Sequence, residues 1–167
     1  MENIILISII VIVLAIVGFI VFKRTNKSPQ KPPTGVPPSF NLIFKYGVGA
    51  KNELNTFNQT YTKDMVMDPP VTIKFKLSDD ELAGIYQKIS DLKLFDIVQP
   101  TEGNTMVKPC SNYYLKVQID SDQKELSWDN CHGEINDKLQ QFTEYIISII
   151  ESKEDYKKLP TSRGRYL

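Results

Sequence analysis

Cysteine and histidine are scarce in this chain, which carries two cysteines and a single histidine in 167 residues. A structural zinc site wants four Cys, His or carboxylate ligands, commonly with a CxxC pair, and that spacing is missing. Glycine motifs are missing too. There is no GxGxxG for a dinucleotide, no phosphate-cradling P-loop, and no GxSxG nucleophile turn. Net charge is absent as well, with 20 Lys and Arg against 20 Asp and Glu. No basic cluster interrupts that balance, which argues against nucleic acid, since phosphate backbones reward Lys and Arg gathered on one face. The basic ending SRGRYL is too short to change this. No internal repeat is visible.

What the sequence does have is one long apolar run. Ile4 to Phe22, IILISIIVIVLAIVGFIVF, contains no charge. As a helix rising about 1.5 Å per residue it spans a bilayer core of about 30 Å. A cleaved signal peptide would begin with basic residues and end at a small-x-small site, whereas this run begins Met-Glu-Asn and ends Phe22-Lys23-Arg24. Residues 1–24 therefore read as a single-pass membrane anchor. Residues 25–38 come next as a stalk, with five prolines in SPQKPPTGVPP (Ser28 to Pro38). Proline favours extended polyproline II, and a PxxP pattern in such a stalk is no SH3 ligand by itself. Lys23, Arg24, Lys27 and Lys31 lie after the apolar run and no Lys or Arg before it. The positive-inside rule, taken alone, puts the domain beyond the stalk in the cytoplasm.

Residues 39–167 then form one globular domain with sixteen cations and nineteen acids. Phe40, Leu42, Phe44 and Tyr46 alternate with Asn41, Ile43 and Lys45 as in a half-buried strand. Thr56 to Met65 is a weaker strand, and Asp68-Pro69-Pro70 ends it because prolines cannot sit in a central ladder. Val71 to Leu77 (VTIKFKL) alternates cleanly. Ser78-Asp79-Asp80-Glu81 reads as a helix start with a capping box, Ser78 at the N-cap and Glu81 at N3. That role accounts for the acids more economically than a catalytic or metal-binding carboxylate pair. Leu82, Ile85, Tyr86 and Ile89 continue the helix to about Leu92. Gln99 to Pro109 is a loop. Tyr113, Leu115, Val117 and Ile119 form a strand, and Leu126 and Trp128 mark another. Matching the apolar faces sets Val117 opposite Leu126 and Leu115 opposite Trp128, with a turn at Ser121-Asp122. The last helix runs from about Glu134 to Ser152 on Ile135, Leu139, Phe142, Ile146, Ile149 and Ile150. The order β-β-β-α-β-β-α implies an α+β fold: an antiparallel sheet of about five strands packed by two helices, preceded by one transmembrane helix.

The segment PCSNYYLKVQIDSDQKELSWDNCH (Pro109 to His132) holds all three residues of the scarce kinds. In that register Cys110 and Cys131 lie one diagonal step from opposition at the open end of a hairpin, so a bridge between them needs a small fray or bulge. A bridge would persist only outside a reducing cytoplasm. Reduced thiols, a metal site with His132, or a nucleophilic Cys110 with His132 as its base are the other readings. Asp120, Asp122 and Glu125 lack the glycine and distal Glu of a calcium loop, and Asp suits hairpin turns for its own hydrogen bonding. Asn58-Gln59-Thr60 is a glycosylation sequon, meaningful only in a secretory cell.

The run TFNQTYTKDMVMDPPVTIKFKLSDDELAGIYQKI, the pieces YYLKVQID and SW, and the ending DYKKLPTSRGRYL resemble an uncharacterised family of small prokaryotic membrane-anchored or lipoprotein-like domains. That resemblance implies no activity, but it favours the extracytoplasmic side. The residues single out no catalytic, cofactor-binding or metal-ligating set, and no cofactor. The expectation is a membrane-tethered, extracytoplasmic binding or structural module whose partners are the membrane and an unidentified protein or cell-envelope component. A membrane-anchored hydrolase using carboxylates or Cys110, or a cytoplasm-facing adaptor, is the alternative.

Overall fold

Phe40, Leu42 and Phe44 are buried and their neighbours are not, so the alternation read in the sequence becomes the middle of a sheet. The computed structural model describes residues 35–98 and 109–166. The expected anchor at 1–24, residues 25–34 of the stalk at 25–38 and most of the loop at 99–109 lie outside the described residues. Among those described, no helix is long and apolar enough to cross a membrane.

Six strands of the described residues make one sheet: β1 (Asn41–Tyr46), β2 (Asn52–Asn55), β3 (Thr60–Met65), β4 (Asp68–Lys74), β5 (Asn112–Ile119) and β6 (Asp122–Asp129). Their spatial order is β4-β3-β2-β1-β5-β6, with every neighbour antiparallel. The helices are α1 (Asp79–Leu92), α2 (Asp137–Ser152) and the short α3 (Glu154–Lys157). The chain runs β1 to β4 as a meander, crosses through α1, and returns as the β5–β6 hairpin on the other side of β1. The fold is α+β with an antiparallel sheet, as the element pattern implied.

The strand count is six and not five, and one strand begins earlier than expected. Asn52–Asn55 is a short strand of its own, pairing with both β1 and β3. The strand before Asp68-Pro69-Pro70 does stop, at Met65, but the segment itself belongs to β4 and does not lie outside the sheet. Prolines are tolerated there because β4 is an edge, where one side of the backbone has no ladder to donate to.

The hairpin register also differs from the apolar-matching expectation. Leu115 faces Leu126, Tyr113 faces Trp128, and Val117 faces Lys124, with Asp120 and Ser121 as the turn. Asp120 holds φ at +52°, a left-handed conformation that Asp tolerates. Lys124 takes the seat opposite Val117 by carrying its ammonium over the Phe95 ring, 5.6 Å from the centroid, so its stem serves as apolar surface.

Both helices cover the same face of the sheet. Phe44 sits at the centre, 5.8 Å from Phe142 of α2 in edge-to-face contact and 6.2 Å from Trp128 of β6. Burying a side chain of that size contributes about 2–3 kcal/mol. Leu139, Phe142, Ile146 and Ile150 of α2 and Ile85 of α1 are fully buried with it. The helices meet where Gly84 leaves room, since a Cβ there would collide with the Tyr145 hydroxyl. The capping box at α1 is formed: Ser78 Oγ accepts from Glu81 N–H at 3.2 Å and Glu81 Oε2 accepts from Ser78 N–H at 2.7 Å. Asn136 caps α2, accepting from Lys138 N–H, so this helix starts three residues later than its apolar pattern suggested.

The opposite face of the sheet carries no helix among the described residues. One row across it reads Thr72, Thr62, Glu53, Lys45, Tyr114 and Ser127. Lys45 pairs with Glu53 at 3.0 Å, and the hydroxyls of Thr62 and Thr72 are 2.8 Å apart.

Candidate functional site

The open end of the β5–β6 hairpin is where the scarce residues meet. Asn130 N–H donates to Ser111 C=O at 3.2 Å, and Asn130 Oδ1 accepts from Ser111 N–H at 2.7 Å. These bonds continue the ladder one step past the strands. The next pair, Cys110 and Cys131, then falls directly opposite, with Cα atoms 4.9 Å apart, close to the spacing of a non-hydrogen-bonded antiparallel pair. They are joined as a disulfide. The fray or bulge expected from the sequence is not required, because the register that seats Lys124 opposite Val117 also brings the cysteines into opposition.

The bond bears on the competing readings of these residues. Both sulfurs are consumed, so neither is a thiolate ligand or a nucleophile while the bridge stands. His132 is exposed, and its Nδ1 lies 3.3 Å from Asp129 Oδ1. The same carboxylate oxygen accepts from Cys131 N–H at 2.8 Å, so Asp129 holds the turn that presents the cysteine. The acidic run at 79–81 is a helix cap. Burial raises the Glu81 carboxyl, but the hydrogen bonds from Lys153 and Ser78 outweigh it and leave the group below its usual range. The Lys153 ammonium lies 2.8 Å away and ties the start of α1 to the end of α2.

Residues 130–135 lead from the bridged end of the hairpin to the start of α2 and border a cleft of about 880 Å³. Its walls are Tyr113 of β5, the bridged turn at Gly133–Ile135, and the α2 face that carries Gln140 and Thr143. Tyr113 is stacked on Trp128, ring centroids 5.4 Å apart. Thr143 is 6% exposed, and its hydroxyl has no hydrogen-bond partner among the described residues. An unpaired buried hydroxyl costs stability, about 1–3 kcal/mol, so its retention at the wall of a cleft is informative. Sequence reading passes over Thr143 because it lies at helical spacing from Leu139 and Ile146. The available signal is a polar residue at a stripe position that should be apolar.

A second cleft, of about 540 Å³, lies at the turn end of the same hairpin. Phe40, Tyr86, Leu94, Phe95 and Ile119 line it, with Lys93 and Lys124 among its charged residues. No side chain in its described lining is buried and unpartnered. A third cluster pins the C-terminal segment against the β3–β4 hairpin. The Arg163 guanidinium binds Asp68 through two nitrogens, Nε at 2.7 Å, and holds that carboxyl below its usual range. Tyr166 donates to Asp64 and accepts from Lys51 at 2.9 Å.

The fold and the bridged end together define a disulfide-clamped α+β domain with a preformed cleft beside the clamp. No protein-family model matches the chain, and no curated protein matches it.

Proposed function

We propose that this chain is a membrane-tethered binding module whose folded domain faces the oxidising side of the membrane. The observation that carries the reading is the Cys110–Cys131 bridge. Disulfides persist in extracellular and periplasmic settings and are rare where glutathione and thioredoxin keep thiols reduced. The tether is the apolar run Ile4–Phe22. Lys23, Arg24, Lys27 and Lys31 pull the other way under the positive-inside rule. That rule describes a bias, whereas a reducing compartment removes a disulfide, so the bridge has the greater weight. Binding is supported by the same bond, which fixes the turn that walls the larger cleft.

The test is labelling in intact cells with a maleimide that cannot cross membranes. Labelling of the chain only after a reductant is added is the expected result. If intact cells never label, while lysed cells label readily without reductant, the domain is cytoplasmic and the proposal fails.

A further inference from the structure

We infer that the Cys110–Cys131 bridge is a reversible thiol–disulfide exchange site of fixed polarity, operated by a protein dithiol: the attacking thiolate joins Cys110, and Cys131 leaves. This goes beyond the reading of the domain as a binding module and does not depend on it. The two cysteines differ in access. Cys131 is 3% exposed, which closes its sulfur to a thiolate approaching in line with the S–S bond, whereas Cys110 is half-buried at the open end of the hairpin. The sulfur that leaves also has a donor in place. Asn112 Nδ2 lies 3.8 Å from Cys131 Sγ. The other end of that amide fixes its orientation, because Asn112 Oδ1 accepts from Gly49 N–H at 3.2 Å. The Asn112 backbone N–H donates to Gly47 C=O at 2.9 Å and holds the residue against the turn between β1 and β2. Negative charge developing on Cys131 Sγ therefore meets an N–H that has no need to reorient.

Reversibility comes from the ladder. The Ser111–Asn130 hydrogen bonds, and the Asp129 carboxylate that accepts from Cys131 N–H, hold the two positions opposed without the bond. The reduced pair can reclose without refolding. In the opening direction the partner's thiolate attacks Cys110 Sγ. An S–S bond forms between the partner and Cys110, the Cys110–Cys131 bond breaks, and its electron pair departs on Cys131 Sγ. The partner's second thiolate then attacks its own sulfur in the mixed disulfide and releases Cys110. The partner ends as a disulfide, and the two protons of its thiols pass to Cys110 and Cys131. Closing runs these steps backwards, with Cys131 attacking Cys110 Sγ to release the reduced partner.

The experiment uses the full oxidised chain in uncharged detergent micelles. Dithiothreitol is the dithiol probe, and glutathione is a monothiol that marks the sulfur attacked. Opening by dithiothreitol should stay first order in thiol. A rate that levels off at the global unfolding rate, measured in parallel, would overturn the inference, because the bridge would then open only in unfolded chains. Brief exposure to glutathione, quenched with iodoacetamide and followed by peptide mapping, should place glutathione on Cys110 and the alkyl group on Cys131. That pattern should exceed its reverse by about tenfold, and comparable amounts of the two would overturn the polarity.

Single variants make the same comparison with no bridge present. Alkylation of Cys110 in Cys131→Ser should outpace that of Cys131 in Cys110→Ser by about tenfold in the folded proteins, and the two should match in urea. Equal rates in the folded proteins would again overturn the polarity. Asn112→Leu, close in size and without the donor, should slow opening of the bridge by about fivefold. It should leave alkylation of Cys110 in the Cys131→Ser background unchanged, whereas a merely structural loosening of the hairpin would change that rate too. Opening at the wild-type rate in a folded Asn112→Leu would overturn the role of the donor. The labelling that tests the membrane side is a separate measurement, so the two readings fail independently.

Discussion

Replacing Cys110 and Cys131 together by serine removes a covalent link that closes a loop between residues 21 apart in sequence. In the chain-entropy model a loop of about 22 residues restricts the unfolded chain by the equivalent of roughly 3 kcal/mol at 25 °C. The native-state side of the balance is small. The ladder reaches Ser111 and Asn130 on its own hydrogen bonds, so the two positions remain opposed without the bond. The expected loss is therefore about 2–4 kcal/mol, or a fall in Tm of roughly 10 °C for a domain of this size. Urea denaturation of the full chain in micelles, followed by Trp128 fluorescence and far-ultraviolet circular dichroism, measures it. Each single serine variant should lose about as much as the double, and reductant should bring the wild type to the same midpoint. Secondary structure should survive, since the buried stripes of α1 and α2 and the meander β1 to β4 do not depend on the clamp. Equal stability of the oxidised wild type and the double variant would refute the structural role of the bridge and weaken the case for an oxidising location.

Two further perturbations separate electrostatics from burial. Glu81→Gln keeps an acceptor for the capping box but loses the Lys153 ion pair, and should cost about 0.5–1 kcal/mol at neutral pH, whereas Glu81→Ala should cost about 1–2 kcal/mol. Because the folded carboxyl titrates below its ordinary value of 4.5, its stabilisation is complete above that pH and is lost as pH falls through the folded value. A pH series of unfolding midpoints should show the acidic limb flatten in Glu81→Gln, and an unchanged limb would refute the assignment. The second perturbation concerns the hydroxyls of Tyr46 and Tyr61, which are 2.6 Å apart and both raised by burial. Tyr61 is fully buried and Tyr46 only partly. Tyr46→Phe, which strands the deeper hydroxyl, should therefore cost more, about 1–3 kcal/mol, than Tyr61→Phe. The double variant should cost less than the sum of the two, and strict additivity in that cycle would deny the coupling.

Patterns with strong periodicity are legible in the sequence. The alternation at Phe40–Phe44, the Ser78–Glu81 capping box and the stripe from Leu139 to Ile150 all appear in the fold. Asn52–Asn55 is not legible, because Leu54 alone among its four residues carries an apolar signal. The hairpin register escapes for a different reason. Matching apolar faces assumes that a lysine counts as polar, and Lys124 instead lays its stem along Phe95. The cysteines are visible as candidates, yet their opposition depends on that same register. The cleft is hidden because its walls come from a strand, a turn and a helix that no local pattern brings together.

The two edges of the sheet are unequal. β4 carries Pro69 and Pro70 and has the C-terminal segment pinned beside it by Arg163, while β6 is eight residues long without a proline. Ribbon-like growth of sheets requires every copy to offer two competent edges, one to receive and one to extend. A chain with one blunted edge can add a neighbour on a single side only. Any edge-to-edge encounter between copies therefore stops at a pair, closed by a two-fold axis, and cannot run on into a filament.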